Sequence, residues 1–460
     1  MNQEKKGQKF SSTRRIAFGF LFIIIIGTLI LMLPVSSADG SVTNFIDALF
    51  TATTSVCVTG LTTVSTATHW SLFGKIVILI LIQLGGLGIV CCMVAVMRLF
   101  HVRVGMKEKI LIQESYNLDT IGGMEGIITR IFRGALGVEI IGAVLYSFFF
   151  IPKFGITKGI WYSVFYAVSA FCNAGMDILG DSNVMNYSTN LWLSMLTMGL
   201  IIVGGIGFIV WWDVKKVVSD SFKIKKIRGV LFKRLTLHSK VAITTTAILI
   251  AAGAALIFAM EYNNPETLGN MNFGGKILAS TFESVTTRTA GFAGITQGTF
   301  RMHTYLIMLV LMIIGGSPMG TAGGLKTTTV AMMFFCVRGV IQGKKDTEAF
   351  DRKISSKNIR MGLTVIALGM SILLIGIIAL SITEDFPALS IIYECFSAMA
   401  TVGLSTGITP MLSTLGKIII IILMFIGRIG PITVVMAFSM KGKNHESDTR
   451  ELARKRIIVG

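Results

Sequence analysis

Four glycines recur at nearly equal intervals along the chain, each in a short loop behind a semi-apolar stretch. They are Gly60, Gly175, Gly291 and Gly403, separated by 115, 116 and 112 residues. The loops read SVCVTGLTT, FCNAGMDI, TTRTAGFAG and AMATVGLSTG. Irregular backbone at membrane depth is tolerated only where it lines a watery cavity. Four such loops on one axis could present a ring of main-chain carbonyl oxygens, which replaces the hydration shell of a monovalent cation.

The residue types in these loops fit that chemistry. Glycine reaches backbone angles that strain other residues, and its missing side chain leaves the lumen open. A helix that ends at each loop would direct its negative C-terminal end toward the ion. The first and fourth loops contain no carboxylate, whereas a ring of Asp or Glu would favour divalent cations. The alternative is that these are packing glycines, which are frequent in membrane helices.

The composition is that of a polytopic membrane protein. Of the 460 residues, 53% are hydrophobic and 14% charged, and the mean hydropathy is +0.74; a soluble protein carries nearer 25% charge. Hydropathy predicts eight long apolar spans, near residues 16–34, 72–97, 134–151, 191–212, 241–260, 302–337, 361–382 and 414–438. Four shorter segments are too short to cross and are typical of re-entrant helices: FIDALFTATTSV, IWYSVFYAVSAFC, ILASTFESVTT and LSIIYECFSAMA.

A second landmark repeats in the same register, because a glycine cluster follows each loop in the next span. The clusters are LGGLGIV from Gly85, VGGIGFIV from Gly204, IGGSPMGTAGG from Gly315 and IGRIGPIT from Gly427. Such fixed-period repetition indicates four copies of span, re-entrant helix, glycine loop and span. The predicted fold is therefore an all-α membrane protein with eight transmembrane helices and four re-entrant pore helices around one pseudo-fourfold pore.

The period also predicts boundaries along the chain. The predicted units are repeat 1 at 1–100, a cytoplasmic linker at 101–128, repeat 2 at 129–217, a linker at 218–237, repeat 3 with a broken second span at 238–341, a linker at 342–358, repeat 4 at 359–440 and a cytoplasmic tail at 441–460.

The net charge of +18 is concentrated in a few segments. Residues 5–15, 98–133, 215–240, 338–360 and 441–456 hold 33 of the 42 Lys and Arg. The positive-inside rule places all five segments, and both termini, in the cytoplasm of a multi-pass cell-membrane protein that contacts lipid. Nucleic acid is not indicated, because the aromatic residues lie in the apolar runs and not among the basic ones.

Enzymatic chemistry is not predicted. The sequence has no HExxH, no GxSxG and no pair of intramembrane acids, and the stretch GLKTTT fails the spacing of a phosphate-binding loop. The six cysteines show neither CxxC nor Cys/His ligand spacing, so they are interpreted as small apolar side chains and not as disulfides or metal ligands.

The sixth span contains GGSPMGTAGGLKTTT, which is rich in glycine and holds a proline. Gly costs about 1 kcal/mol and Pro about 3 kcal/mol in a helix interior relative to Ala, so residues 315–325 are predicted not to be helical. Lipid cannot satisfy the released backbone groups, which favours a flexible loop between two half-helices that faces the pore. The alternative is a kinked packing helix.

Three charged residues lie inside apolar segments. Arg428 is a lone charge in the last span, and an intramembrane Arg is a functional candidate by default; it either faces the cavity and donates to carbonyl groups of the broken segment, or extends to the inner surface. Lys326 ends the broken segment and is interpreted as a similar cavity charge. Glu139, in GVEIIG, either pairs with a basic residue or points toward the inner headgroups.

With these residues in view, the chain resembles the Trk/Ktr/HKT superfamily of potassium transporters over nearly its whole length. The VTGL, TAGF and TVGL loops and the GGSPMGTAGGLK segment carry the resemblance, whereas FCNAGMD departs from the Thr-Val-Gly form. The chain is most similar to the Ktr membrane subunit (KtrB/NtpJ-like), since its first repeat begins near residue 16 without the two additional N-terminal spans of Trk subunits.

The resemblance implies a potassium-selective filter and an intramembrane gating loop. The implied filter residues are Val58, Thr59, Gly60, Cys172, Asn173, Ala174, Gly175, Thr289, Ala290, Gly291, Thr401, Val402 and Gly403. The implied gating residues are Gly315, Gly316, Ser317, Pro318, Gly320, Thr321, Gly323, Gly324, Lys326 and Arg428. Gly60 favours potassium, since Ser at this place goes with sodium transport in plant members.

The resemblance further implies gated, passive K⁺ flux, a homodimer and a cytosolic ring of nucleotide-binding RCK subunits (KtrA-like). No organic cofactor is expected in this chain, and sodium as an activator stays open. The alternative function is a secondary, cation-coupled transporter with a broken-helix site, which predicts two inverted halves instead of four parallel copies.

Overall fold

A computed structural model describes residues 12–88, 91–94, 124–180, 190–223 and 231–438. Within these ranges the chain is mostly helical and repeats one order four times: a long helix, a shorter helix, a glycine loop and an interrupted helix. The long helices are α1 (Ser12–Leu31), α4 (Met124–Phe154), α9 (Leu237–Glu261) and α13 (Ser356–Thr383). The shorter helices are α2 (Phe45–Cys57), α5 (Ile156–Phe171), α10 (Phe273–Thr286) and α14 (Ala388–Ala400).

The helix after each loop is formed from separate pieces. They are α3 (Leu72–Leu87) with helical residues 91–94, α6 (Leu191–Gly205) with α7 (Phe208–Lys223), α11 (Met302–Ile313) with α12 (Thr327–Ile341), and α15 (Thr414–Ile429) with α16 (Pro431–Phe438). The described ranges also contain α8 (Leu231–Arg234) and an antiparallel hairpin of β1 (Glu348–Ala349) and β2 (Arg352–Lys353).

Length and composition qualify several of these helices as membrane spans. Four helices in the described ranges are long and apolar enough to cross, at Arg14–Leu31, Ile128–Phe154, Leu237–Glu261 and Ser356–Thr383. The pair α6 and α7 becomes a fifth if its two pieces, bent by 97°, count as one span. The described part of the chain is thus a mostly helical protein with several apolar helices.

Polar caps begin several of the helices that lead into and out of the loops. The Asn44 side chain accepts from the backbone N–H of Ile46 at the start of α2, at 3.0 Å. Ser71 and Ser413 cap α3 and α15 in the same way, each accepting at 3.1 Å from the N–H three residues on. Such a cap contributes about 1 kcal/mol, because it satisfies a backbone donor that has no partner within the helix.

The core of the molecule is formed by the shorter helices. Residues 50–57 of α2, 165–171 of α5 and 282–286 of α10 are all buried. The long helices instead expose large apolar side chains, such as Phe22 (65%), Phe148 (69%) and Ile382 (79%). Each shorter helix packs against the long helix of its own repeat. An apolar outer face around a buried inner set of helices is what a bilayer solvent favours.

The sequence-based spans 72–97, 191–212 and 414–438 stay predictions as membrane crossings, but none of them is one continuous helix in the described residues. The helix interruption that was predicted at 315–325 is present, since residues 314–326 lie between α11 and α12. The other three second spans are interrupted too, at glycines with positive φ: Gly88 (+84°), Gly207 (+95°) and Gly430 (+96°). A right-handed helix cannot continue through such a residue, and glycine adopts this conformation without strain.

The predicted repeat boundaries stay predictions, although some described elements cross them. Helix α4 already begins at Met124, inside the predicted linker 101–128, and α7 continues to Lys223, beyond residue 217. The predicted linker 342–358 contains the β1–β2 hairpin. The predicted tail 441–460 lies outside the described residues.

Candidate functional site

The four glycine loops share one backbone turn. Two residues before each glycine, a residue other than glycine adopts a left-handed conformation: Val58 (φ +55°), Asn173 (+59°), Thr289 (+66°) and Thr401 (+53°). The glycines have positive φ as well: Gly60 (+100°), Gly175 (+62°), Gly291 (+76°) and Gly403 (+93°). Left-handed residues of this kind cost free energy, and here they occur at the same position in all four repeats.

The four loops meet around one axis. A methyl group added to Gly60 would lie 2.6 Å from the carbonyl oxygen of Ala174, which precedes Gly175. A methyl group added to Gly175 would lie 2.6 Å from the carbonyl oxygen of Ala290, and one added to Gly291 would lie 2.6 Å from the carbonyl oxygen of Val402. A methyl group on Gly403 would overlap the carbonyl oxygen of Thr59. Each glycine thus faces the residue before the next glycine, and the fourth contact returns to the first loop; we call this set the glycine ring.

Hydroxyl groups at the ends of the shorter helices hold the loops in place. The Thr54 Oγ1 accepts from the Gly60 N–H at 2.9 Å, and the Ser397 Oγ accepts from the Gly403 N–H at 3.0 Å. In the second repeat Ser169 bonds both the N–H and the carbonyl of Met176. In the third, Thr286 donates to the carbonyl of Phe292 at 2.7 Å. These residues were not predicted from the sequence, although a Ser or Thr lies five or six places before every ring glycine.

Substituting Thr54 by valine is expected to lower the free energy of unfolding by about 1–3 kcal/mol, since the buried Gly60 N–H loses its acceptor. The matched control is Thr53→Val, because the buried Thr53 hydroxyl has no partner among the described residues. That control should be neutral or slightly stabilising. Thermal unfolding of both variants in detergent measures the difference, and an equal loss in the two would contradict the assigned role of Thr54.

The remaining predicted filter residues fall into two groups. The side chains of Thr59, Asn173, Thr289 and Thr401 are buried, and their polar atoms have no hydrogen-bond partner among the described residues. Cys172 is instead the right-handed C-cap of α5, and its thiol approaches Gln83 and Glu139. Its position corresponds to Cys57, Arg288 and Ala400 in the other repeats, one residue before the left-handed turn.

Buried carboxylates support the chain where it leaves the third and fourth loops. Glu283 of α10 accepts from the backbone N–H groups of Gly294 and Ile295, each at 3.0 Å. Glu394 of α14 accepts from the hydroxyls of Ser405 and Thr409. Charge-assisted bonds of this kind are stronger than neutral ones, so both carboxylates stabilise the loops from behind. The sequence alone gave no partner for either residue.

The segment between α11 and α12 is closed at its base by backbone hydrogen bonds. The Gly315 N–H donates to the Leu325 carbonyl at 2.9 Å, and the Leu325 N–H donates to the Ile313 carbonyl at 3.0 Å. The Thr327 N–H donates to the Gly316 carbonyl at 3.0 Å. Residues 315–326 therefore form a compact loop whose two ends are hydrogen-bonded to each other; we call it the inner loop.

The inner loop docks on the interruption between α6 and α7. The N–H groups of Ser317 and Thr321 donate to the carbonyls of Gly205 (2.8 Å) and Gly204 (3.1 Å). In return the Phe208 N–H donates to the Met319 carbonyl at 3.0 Å. The carbonyls released where α6 ends thus find partners in the loop, which explains how this interruption is stabilised without water.

The inner loop also touches the glycine loops. The Thr321 hydroxyl donates to the carbonyl of Phe171, the last residue of α5, at 3.0 Å. A methyl group on Gly323 would overlap the Thr401 hydroxyl oxygen, and Arg288 donates to the Gly315 carbonyl at 3.3 Å. The inner loop therefore lies on the side of the glycine ring where the shorter helices end.

A cavity of about 170 Å³ lies on another face of the glycine ring. It is lined by Gly60, Gly175 and Gly291 and by polar residues of the first two loops, among them Asp177.

Residues 13–449 match the family model TrkH, described as a cation transport protein. This chain belongs to the TrkH family. It is 40% identical over 445 residues to the potassium/sodium uptake protein NtpJ of Enterococcus hirae, covering 96% of each chain. It is also 40% identical over 445 residues to the Ktr system potassium uptake protein B of Bacillus subtilis, covering 97% of this chain and 96% of that protein.

A solved structure of another family member supports the fold. The potassium transporter TrkH of Vibrio parahaemolyticus superimposes with a TM-score of 0.70, covering 95% of this chain and 87% of that one. At 13% identity this likeness shows the fold alone. The family is a transporter family, which agrees with the sequence-based exclusion of an enzyme.

In this TrkH-family chain, the basic residues near the inner loop bind backbone carbonyls. Arg428 donates to the Thr321 carbonyl at 2.6 Å, so the predicted contact between Arg428 and the broken segment is present. It also donates to the carbonyls of Gly85 and Gly86 at the end of α3. Lys326 donates to the Ala322 carbonyl at 2.8 Å, inside the loop itself. The alternative in which Arg428 extends to the inner surface is therefore wrong.

Glu139 follows neither alternative drawn from the sequence. The residue is 4% exposed, which excludes an orientation toward headgroups. Its partner is the neutral amide of Gln83, whose Nε2 lies 3.0 and 2.9 Å from the two carboxylate oxygens. The sequence did not indicate this pair, because Gln83 is 56 residues away in another helix.

Proposed function

We propose that this chain is the potassium-selective, ion-translocating membrane subunit of a Ktr-type uptake system. The observation that carries the proposal is the closed ring of four glycine loops in a chain related over nearly its whole length to proteins named for potassium uptake. Transport of an ion needs no covalent chemistry. Selectivity and gating are therefore the two tasks that the protein's residues have to perform.

In this proposal the glycine ring is the selectivity filter. The carbonyl groups of Thr59, Ala174, Ala290 and Val402 lie where each loop touches the next, and they replace the water around a weakly hydrated cation. The left-handed turns before the glycines bring the backbone round at the ends of α2, α5, α10 and α14. The negative C-terminal ends of these helices would then lie near the ion and favour positive charge.

The proposed topology has eight membrane crossings and four re-entrant pore helices, with both termini in the cytoplasm of the cell membrane. In this arrangement α2, α5, α10 and α14 enter and return on the outer side. The interrupted helices after each loop complete the crossing. Four corresponding contacts around the ring favour this arrangement over a secondary transporter of two inverted halves.

The inner loop is proposed to be the gate. In this role it would lie across the path that leaves the ring. It contacts the end of α5 and the fourth loop, and Arg428 fastens it to the end of α3. Flux is then passive and follows the electrochemical gradient of potassium. A cytosolic ring of RCK-type nucleotide-binding subunits and a second copy of this chain complete the proposed assembly, while a sodium activator stays open.

Replacing Gly60 by serine tests the proposal directly. A Cβ at residue 60 would lie 2.6 Å from the Ala174 carbonyl oxygen. The backbone at this position has a φ of +100°, which is strained for serine but not for glycine. We therefore expect the variant to lose selectivity for potassium over sodium. The measurement is growth of a potassium-uptake-deficient bacterium against external potassium and sodium, with a matching regulatory subunit co-expressed.

The wild-type chain is the control in this assay, and it should restore growth at low external potassium. A wild type that fails to do so with the regulatory subunit present would make the proposed function wrong. A working wild type beside a Gly60→Ser variant of unchanged selectivity would instead show that Gly60 is not part of the filter.

A further inference from the structure

A carboxylate lies directly behind the second loop of the glycine ring. Glu139 of α4 is 4% exposed, and both of its oxygens face the amide nitrogen of Gln83 in α3. The Cys172 thiol lies 3.8 Å from a Glu139 oxygen and 3.6 Å from the Gln83 amide oxygen. Three helices therefore converge on one buried acid, and only Cys172 separates it from the loop that carries Gly175.

The packing around this acid leaves little room for the loop to move. A methyl group added to Gly86 of α3 would lie 2.5 Å from the Cys172 sulfur, so α3 touches the start of the second loop directly. The neighbouring Cys92 thiol, also buried, lies 3.9 Å from the Gln83 carbonyl. Glu139, Gln83 and Cys172 thus form a tightly packed unit that contacts the start of the second loop.

The charge of Glu139 has no basic neighbour in this unit. Its hydrogen-bond partners among the described residues are Gln83 and Cys172, which are both neutral. A buried carboxylate with neutral partners is unfavourable unless positive charge lies nearby. A cation held by the glycine ring would supply that charge from the other side of Cys172.

Helix α3 connects this unit to the inner loop. The turn that carries Gln83 ends in the carbonyls of Gly85 and Gly86, which accept from Arg428. Arg428 also binds the Thr321 carbonyl, and the Thr321 hydroxyl binds the carbonyl of Phe171, the residue before Cys172. The second loop is thus bounded by a negative charge on one side and by a positive charge, held through the inner loop, on the other.

We propose that Glu139 is a positioning residue of the filter, whose negative charge behind the second loop favours cation occupancy of the glycine ring. The inference rests on the proposed function of the ring. Asp177 lies on the cavity side of the second loop, whereas Glu139 lies behind it; without Glu139 the loop loses its negative charge on that side, while the cationic Arg428 remains, so the local potential becomes less favourable for a cation. The charge, and not the shape of the side chain, is what the residue contributes.

The test is Glu139→Gln in the full-length protein, with thermal unfolding followed in detergent against potassium concentration. An ion that binds the folded state alone raises the unfolding temperature by mass action. Glutamine keeps the size of the side chain and can still bond the Gln83 amide. We expect the potassium concentration for half-maximal stabilisation to rise about tenfold, the effect of one unit charge acting across a short distance in protein.

Glu261→Gln is the matched control. Glu261 is equally buried and accepts from Asn264, Thr267 and the Arg301 N–H, none of which belongs to a glycine loop. Its loss should lower the unfolding temperature and leave the potassium dependence unchanged. The double variant Glu139→Gln with Gln83→Glu returns the charge to the same unit, and it should restore the wild-type potassium dependence.

The outcomes separate this inference from the proposed function. A Glu139→Gln protein that unfolds earlier but has the wild-type potassium dependence would reduce Glu139 to a structural residue and overturn the inference. A wild-type protein that potassium stabilises no better than sodium, and that fails to restore uptake, would overturn the proposed function itself.

Discussion

Replacing Gly403 by alanine is expected to abolish potassium uptake while the protein still reaches the membrane. An added Cβ would overlap the Thr59 carbonyl oxygen and lie 3.0 Å from the Gly60 Cα, so the first and fourth loops could no longer meet. The φ of +93° adds backbone strain of about 1–2 kcal/mol for alanine. Uptake of potassium or rubidium by a deficient strain measures the loss, with the amount of folded protein determined by size-exclusion chromatography.

The chain provides a control that separates strain from obstruction. Gly407 has nearly the same backbone angle, φ +98°, and an added Cβ would meet no atom within 4 Å. Gly407→Ala should therefore lower stability by a similar amount and keep uptake close to wild type. If both variants lose uptake equally, the effect comes from backbone strain, and the contact between Gly403 and Thr59 is not what transport requires.

Replacing Arg428 by glutamine is expected to raise the basal potassium flux several-fold without a regulatory subunit. The variant loses donors to the carbonyls of Thr321, Gly85 and Gly86, which fasten the inner loop to α3. A bond from a charged donor contributes about 1.5–3 kcal/mol, so its removal shifts the equilibrium toward a displaced loop. Lysine at this position has a single ammonium group in place of the guanidinium fork and should give an intermediate flux.

Flux of rubidium into proteoliposomes measures this effect, normalised to folded protein. Arg338→Gln is the matched control, because Arg338 lies exposed in α12, the helix that follows the inner loop. It removes the same charge without removing those contacts, and its flux should equal that of the wild type. A flux that falls in Arg428→Gln would mean that Arg428 holds the pathway open and not closed.

The sequence predicted the parts of this site that repeat. Because the ring glycines and the glycine clusters keep one register, their period alone indicated four copies and identified the residues that now meet around an axis. The broken segment at 315–325 was predictable as well, since several glycines and a proline within one span exceed what a helix tolerates. The resemblance to the superfamily then agreed with the family to which the chain belongs.

The sequence could not predict the interruptions at Gly88, Gly207 and Gly430. Glycine is frequent in continuous membrane helices, so the clusters alone do not distinguish packing from a break. At Gly207 the break depends on distant partners, because the carbonyls of Gly204 and Gly205 accept from residues more than 110 positions later in the chain. A positive φ becomes stable only when such acceptors and donors are matched by the tertiary structure.

The partners of buried polar side chains were beyond sequence reasoning for the same reason. Glu139 was visible as a lone acid, yet its neighbours Gln83 and Cys172 come from two other helices. Thr54 and Ser397 were visible as hydroxyl residues near the end of apolar segments, where such residues most often bond their own helix. In the structure each loop turns back toward the end of its helix, and the two hydroxyl groups therefore accept hydrogen bonds from the backbone N–H groups of Gly60 and Gly403.

The glycine ring is formed by four loops of a single chain, so each loop can be mutated independently of the other three. A homotetrameric pore places every substitution in all four subunits at once, whereas the four glycine loops of this chain are encoded separately. The second loop already differs, with Asn173 where the third and fourth loops have Thr289 and Thr401. Variants altered in one, two or three loops can therefore be built in a single polypeptide, and in the proposed filter such variants would adjust the ion preference in steps.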